Sequence, residues 1–141
     1  RGKRLMLHLH HYALIPYLPG QTLRNLHRDI CQLRGARYGI PNPQSPYVLF
    51  SPWSTLLGYH AQVLQEFKAR GYRFAPNWTN PNYRGKRLPP WEAQEATILV
   101  RPYPEHTPDH YTRSLALLEA KSHKYTPEDL YRLKTAPRAI P

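Results

Sequence analysis

Cysteine is almost absent: Cys31 is the single one in 141 residues. That excludes an internal disulfide framework and any metal site built from several cysteines, and it suits a reducing compartment. Glycine is sparse as well, 7 residues against 16 prolines, so the connections between elements should be stiff and irregular. No run approaches the ~18 uninterrupted apolar residues of a membrane span, and no signal-peptide block follows the basic start Arg1-Gly2-Lys3-Arg4. A soluble protein with no membrane partner is expected. Acids are the scarcest type through the first two-thirds of the chain. Residues 1–91 hold 13 Lys and Arg but two acids, Asp29 and Glu66, whereas residues 92–141 hold seven of each sign. The whole net charge of +11 therefore resides in the first 91 residues. Such a field favours a polyanion, because each neutralised phosphate releases counterions. The plain alternative is a basic protein with no nucleic-acid role.

The local pattern is helical. Residues 5–19 are apolar and His-rich, and Pro16 and Pro19 suggest an ordered extended arm rather than a helix. Leu23, Leu26, Ile30 and Leu33 recur at helical spacing, with Gly35 where a C-terminal cap belongs, which predicts a helix over about 21–34. Residues 35–50 read as a loop. Ser51-Pro52 forms a helix start, and Trp53, Leu56, Leu57, His60, Leu64 and Phe67 line one face up to Arg70-Gly71, predicting a helix over 52–70. Residues 72–91 read as ordered loop, and 91–100 as either a short helix or a strand. Thr107-Pro108-Asp109 and Thr126-Pro127-Glu128-Asp129 open helices near 108–122 and 127–134. The expected architecture is all-α: a single compact domain over 1–141, of three to four helices with long Pro-rich loops. Residues 1–6 are read as an extended N-terminal arm or a non-native lead.

Asp29 stands out among chemistry-bearing residues. On a helical wheel with Leu23 at zero, the apolar stripe centres near about 320° and Asp29 falls at about 240°. Asn25, Gln32 and Arg28 follow at about 200°, 180° and 140°. A carboxylate thus borders the buried face amid cationic and hydrogen-bonding groups. A phosphate-gripping face should avoid such a repulsive group unless it has a task. The competing reading is a salt bridge to Arg28 or another arginine. Glu66, beside Lys68 and Arg70, reads as solvated surface. His8, His10 and His11 invite a metal reading, since alternate residues of an extended arm share a face, but no spacing supplies a third ligand. Contact of the histidines with phosphate or base edges is the alternative. Tyr72-Arg73-Phe74 and the stretch from Trp78 to Arg87 interleave aromatics with cations, which serves packing or base stacking. There is no Gly-rich phosphate loop, no Ser/His/Asp order and no metalloprotease spacing. No metal and no cofactor are expected.

Three ordered blocks carry a family resemblance. They are Leu18-x-x-Gln21-x-Leu23-x-x-x-His27-Arg28-Asp29, then Ser51 to Tyr72 ending Lys68-Ala69-Arg70-Gly71-Tyr72, then Tyr83-Arg84-Gly85 with Leu88-Pro89-Pro90-Trp91-Glu92-Ala93. Over about residues 7–101 the chain resembles the pyrimidine-dimer DNA glycosylases of the endonuclease V type. The resemblance implies a small, basic, three-helix monomer without cofactor. It would bind double-stranded DNA containing pyrimidine dimers or abasic sites, extrude a base, cleave a glycosidic bond and nick as an abasic-site lyase. Localisation would be cytoplasmic, with the nucleoid. Asp29 takes the position of the family's essential glutamate and Arg28 that of its DNA-gripping neighbour; these two form the implied catalytic pair. Arg101 matches another DNA-contacting basic position, and Gln32 falls where the family often has a further arginine; with Arg24, His8, Arg84, Lys86 and Arg87 they make up the expected DNA-binding set.

The attacking group in that family is the chain's own α-amino group, whose pKa of about 7.7–8.0 leaves a neutral fraction at physiological pH. The family's amino terminus aligns near Leu7 or His8. The amine is therefore expected from Met6 as the start, from Arg1 folding back or from Lys3, or lyase activity is lost. Two rival readings stand beside this one: a non-catalytic basic nucleic-acid-binding protein on the same scaffold, and a metal-dependent hydrolase using His8, His10 and His11.

Overall fold

The stripe Leu23, Leu26, Ile30 and Leu33 closes into helix α1, Gly20–Gly35, with all four side chains buried. The computed structural model describes residues 9–35, 53–86, 89–90, 103 and 105–140. Within these the chain is all-α, with no strand. Helix α2 spans Trp53–Arg70, α3 Pro108–Glu119 and α4 Pro127–Lys134. Leu56, Leu57, Val63 and Phe67 of α2 meet the α1 stripe, and Tyr111, Leu115, Leu118 and Leu133 from α3 and α4 complete the same core.

The ends of these helices follow from local chemistry. At the α2 C-terminus, Gly71 takes φ +77°, the left-handed region open to glycine. Its N–H then reaches the Lys68 carbonyl at 3.1 Å and the Tyr72 N–H reaches that of Phe67 at 2.8 Å, a Schellman closure. Thr107 and Thr126 cap α3 and α4 by accepting from His110 N at 3.2 Å and Asp129 N at 3.1 Å, each with proline next in the chain. The N-terminus of α1 is capped from afar: the Asp129 carboxylate of α4 accepts the Gly20 N–H at 3.0 Å. A Cβ on Gly20 would stand 2.8 Å from the Tyr72 hydroxyl, so the close approach here requires glycine.

Three expectations need correction. The proposed extended arm contains a 3-10 helix, Tyr12–Tyr17, with Pro16 inside it. A short run of i to i+3 bonds tolerates the missing N–H, and the His11 ring caps it by accepting from Ala13 N at 3.0 Å. The loop after α2 holds another such turn at Pro76–Thr79. Helix α3 stops at Glu119 rather than near 122, passing into a 3-10 turn at Ser122–Lys124. The expected helix start at Ser51-Pro52, the loop from 36 and the 91–100 element lie outside the described residues.

Candidate functional site

The phase of α1 that buries its leucines turns Gln21, Arg24, Arg28 and Gln32 to solvent, with Asn25 and Asp29 half-buried at the border. Asp29 is the sole acid on this helix. No described residue forms a hydrogen bond or ion pair with it, so the salt-bridge alternative has no support among the described residues. Burial holds its carboxyl above the ordinary carboxylate range, and the adjacent Arg28 charge pulls in the opposite direction. The result is a carboxylate without a fixed partner among the described residues, on a cationic, hydrogen-bonding face. Such a group can stabilise positive charge developing on a ligand and can exchange a proton with it.

The other expected residues fall into two groups. Arg24, Arg28 and Gln32 share the α1 face with Asp29. Arg24 lays its guanidinium 4.1 Å from the centre of the Tyr72 ring, a stacked cation at the margin of that face. Arg84 donates to the Gly35 carbonyl at 3.1 Å, which ties its loop to the C-terminal end of α1, and Lys86 on the same loop is exposed. His8, Arg87 and Arg101 lie outside the described residues. Glu66 departs from the solvated reading: it is half-buried and accepts from Arg70 Nε at 2.8 Å. Arg70 in turn donates to the Pro16 carbonyl at 3.1 Å, so the pair fastens α2 to the 3-10 segment.

Of the histidines weighed for a metal, His8 lies outside the described residues, and no group of three potential metal ligands among the described residues includes His10 or His11. His11 is fully buried and donates from Nε2 to the His106 carbonyl at 3.1 Å, while its Nδ1 accepts from Ala13. Burial pushes its pKa down, which keeps it neutral. A different cluster forms where α1 crosses α2, on the border of the apolar stripe away from Asp29. Arg34 is 2% exposed, and its guanidinium donates to His60 Nδ1 at 3.0 Å and to the carbonyls of Trp78, Asn80 and Tyr83 at 2.9, 2.7 and 2.9 Å. Because a guanidinium can only donate, neutral His60 must carry its proton on Nε2. That proton points to His27 Nδ1 at 3.0 Å, and His27 Nε2 faces Cys31 Sγ at 3.6 Å. Burial lowers the pKa of both histidines, with the Arg34 charge acting in the same sense, and raises the Cys31 thiol to about 12. Arg34 itself, pushed down to about 10, stays charged at neutral pH.

This array has a signal in the sequence, in the phase of α1, that the motifs above do not include. On the wheel Arg34 falls at about 20°, beside Leu23 at the edge of the apolar stripe, with His27 and Cys31 at about 40° and 80°. An open groove of about 250 Å³ between α2 and residues 74–81 adjoins this array through Arg34, is lined also by Leu57, Leu64, Lys68, Phe74 and Trp78, and does not include Asp29.

Compared with known proteins, the chain matches one family model, described as pyrimidine dimer DNA glycosylase, over residues 5–80, just over half its length. No curated protein and no solved structure matches it. The matched span contains α1 with Asp29, α2 and the turn at 76–79, and ends before α3 and α4.

Proposed function

Because the chain belongs to the pyrimidine dimer DNA glycosylase family, we propose that it acts on pyrimidine dimers in duplex DNA as a glycosylase with abasic-site lyase activity, Asp29 being its catalytic carboxylate. The observation that carries this reading is the state of Asp29: the one acid on α1, half-buried and without a partner among the described residues, beside Arg28 on an otherwise cationic face. Breaking the glycosidic bond builds positive charge on the deoxyribose, and a carboxylate held at its edge lowers that barrier. An amine of this chain attacks the sugar C1′ as the base departs with the bonding electron pair. Loss of the amine proton then opens the sugar ring, the C1′–O4′ electron pair leaving on O4′ to become a hydroxyl, and the Schiff base so formed acidifies the C2′ proton. Its removal, assisted by the carboxylate, expels the 3′ phosphate by β-elimination. Extruding a base costs a few kcal/mol and less at a damaged step, which favours the lesion.

Arg28, Arg24, Arg84 and Lys86 are the backbone-gripping cations of this reading, with Gln32 as a neutral hydrogen-bonding neighbour. His8, Arg87 and Arg101 are assigned to the same role on the sequence alone, Arg101 by the family resemblance. The protein acts as a monomer and as one domain. The test is a duplex carrying one defined dimer, incubated with and without borohydride. Wild type should cleave it and be trapped as a covalent adduct. Asp29→Asn should bind the duplex but lose cleavage by about a hundredfold or more. Equal cleavage by both proteins refutes the role of Asp29, and binding without strand breaks or adduct establishes the non-catalytic alternative.

A further inference from the structure

We propose that His27, Cys31 and His60 hold one borderline-soft divalent metal ion, zinc foremost, in a three-ligand site that joins α1 to α2. The proposal is independent of the glycosylase reading. His27 and Cys31 stand one helical turn apart on α1, so both reach the same side, and His60 faces them from the middle of α2. One nitrogen or sulfur atom from each lies within 4.8 Å of the others. The separations of His27 Nδ1 from His60 Nε2, 3.0 Å, and from Cys31 Sγ, 3.8 Å, bracket the roughly 3.3–3.6 Å expected between ligands of a tetrahedral zinc ion. Imidazole and thiolate without a carboxylate exclude magnesium and calcium, which take oxygen donors. Three protein ligands leave a fourth position for water.

Binding has a definite proton balance. Cys31 releases its thiol proton to solvent, and the His60 proton moves from Nε2 to Nδ1. There it faces the Arg34 N–H, donor against donor, so Arg34 must leave His60. It can do so and keep the Trp78, Asn80 and Tyr83 carbonyls. Arg34 opposes the divalent ion by its charge and favours the thiolate by the same charge. Without an ion, the cluster persists as a chain of hydrogen bonds running from Arg34 to Cys31, and this is the alternative the test must separate.

The experiment titrates the reduced full chain with Co²⁺ and follows its absorption. One equivalent should give tetrahedral visible bands and a thiolate-to-cobalt band in the near ultraviolet, all displaced by Zn²⁺. Cys31→Ser should retain the wild-type circular dichroism, lose the thiolate band and bind more than about tenfold less tightly. Zn²⁺ should raise the melting temperature of wild type and not of this variant. His27→Gln serves as a second variant with the same readouts should the first fail to fold. Absence of cobalt bands at excess metal overturns the site, because the hydrogen-bonded chain alone then accounts for the cluster. Bands that survive Cys31→Ser unchanged also overturn it, since the ion then sits on other histidines.

Discussion

Replacing Arg34 by methionine removes the restraint that its guanidinium places on residues 78–83 after α2. Methionine keeps an unbranched apolar stem of similar reach and removes four donated hydrogen bonds, three of them to carbonyls of residues 78–83. At about 1.5 kcal/mol each, the lower end for a charged donor, these sum to about 6 kcal/mol before any offset. Two effects reduce it. Burial opposes the charged guanidinium, as its lowered pKa of about 10 records, and the freed carbonyls rewet because Asn80 is exposed and Trp78 and Tyr83 are half-buried. Taken as halving that sum, they leave an expected loss of about 3 kcal/mol, or about 10 °C in melting temperature. Urea unfolding measures it, with an unchanged slope showing that the denatured state is not the cause. Arg34→Lys keeps the charge but not the fork that spans several carbonyls, so about 2 kcal/mol should be lost. The same segment leads to Arg84 and Lys86, so affinity for lesion DNA should fall alongside stability. A loss below about 1 kcal/mol for Arg34→Met would refute the view that this arginine organises the loop.

Acid should destabilise the fold from about pH 6.5 downward. His11, His27 and His60 all have lowered folded pKa values, so the unfolded chain binds more protons below its own value. Stability is then complete above that pH and declines by up to about 1.4 kcal/mol per unit per histidine as pH falls. His106, His110, Tyr12 and Tyr111 surround His11, and none supplies an anion to hold its proton. A melting temperature constant from pH 7.5 to 5 contradicts this. Gly20→Ala should cost about 1–3 kcal/mol by forcing Cβ against the Tyr72 hydroxyl, and Tyr72→Phe in the same chain should recover part of it; no recovery places the strain elsewhere. Arg28→Gln should lower the slope of log affinity against log salt by about 1 on any duplex, and an unchanged slope removes Arg28 from the phosphate contacts.

What could be read from the chain is what helix phase and capping encode. Leu23, Leu26, Ile30 and Leu33 fix which side of α1 is buried, and the same arithmetic puts Asp29 at the border, where it stands half-buried. Thr126-Pro127 fixes the start of α4 because proline and a hydroxyl cap act within one turn. Partners supplied from elsewhere in the chain leave no such mark. The Asp129 carboxylate that caps α1 comes from 109 residues away, and the Pro16 carbonyl that draws Arg70 inward, with Glu66 beside it, lies 54 residues from it. Arg34 marks the boundary between the two cases. Its phase announces burial, but a buried guanidinium needs acceptors, and nothing local in the sequence says that three carbonyls of residues 78–83 and an imidazole of α2 will provide them. A cation at the edge of an apolar stripe should therefore be read as a demand for distant acceptors. The array of His60, His27 and Cys31 follows from that demand, since the fixed direction of the Arg34 donor sets the tautomer of each imidazole in turn.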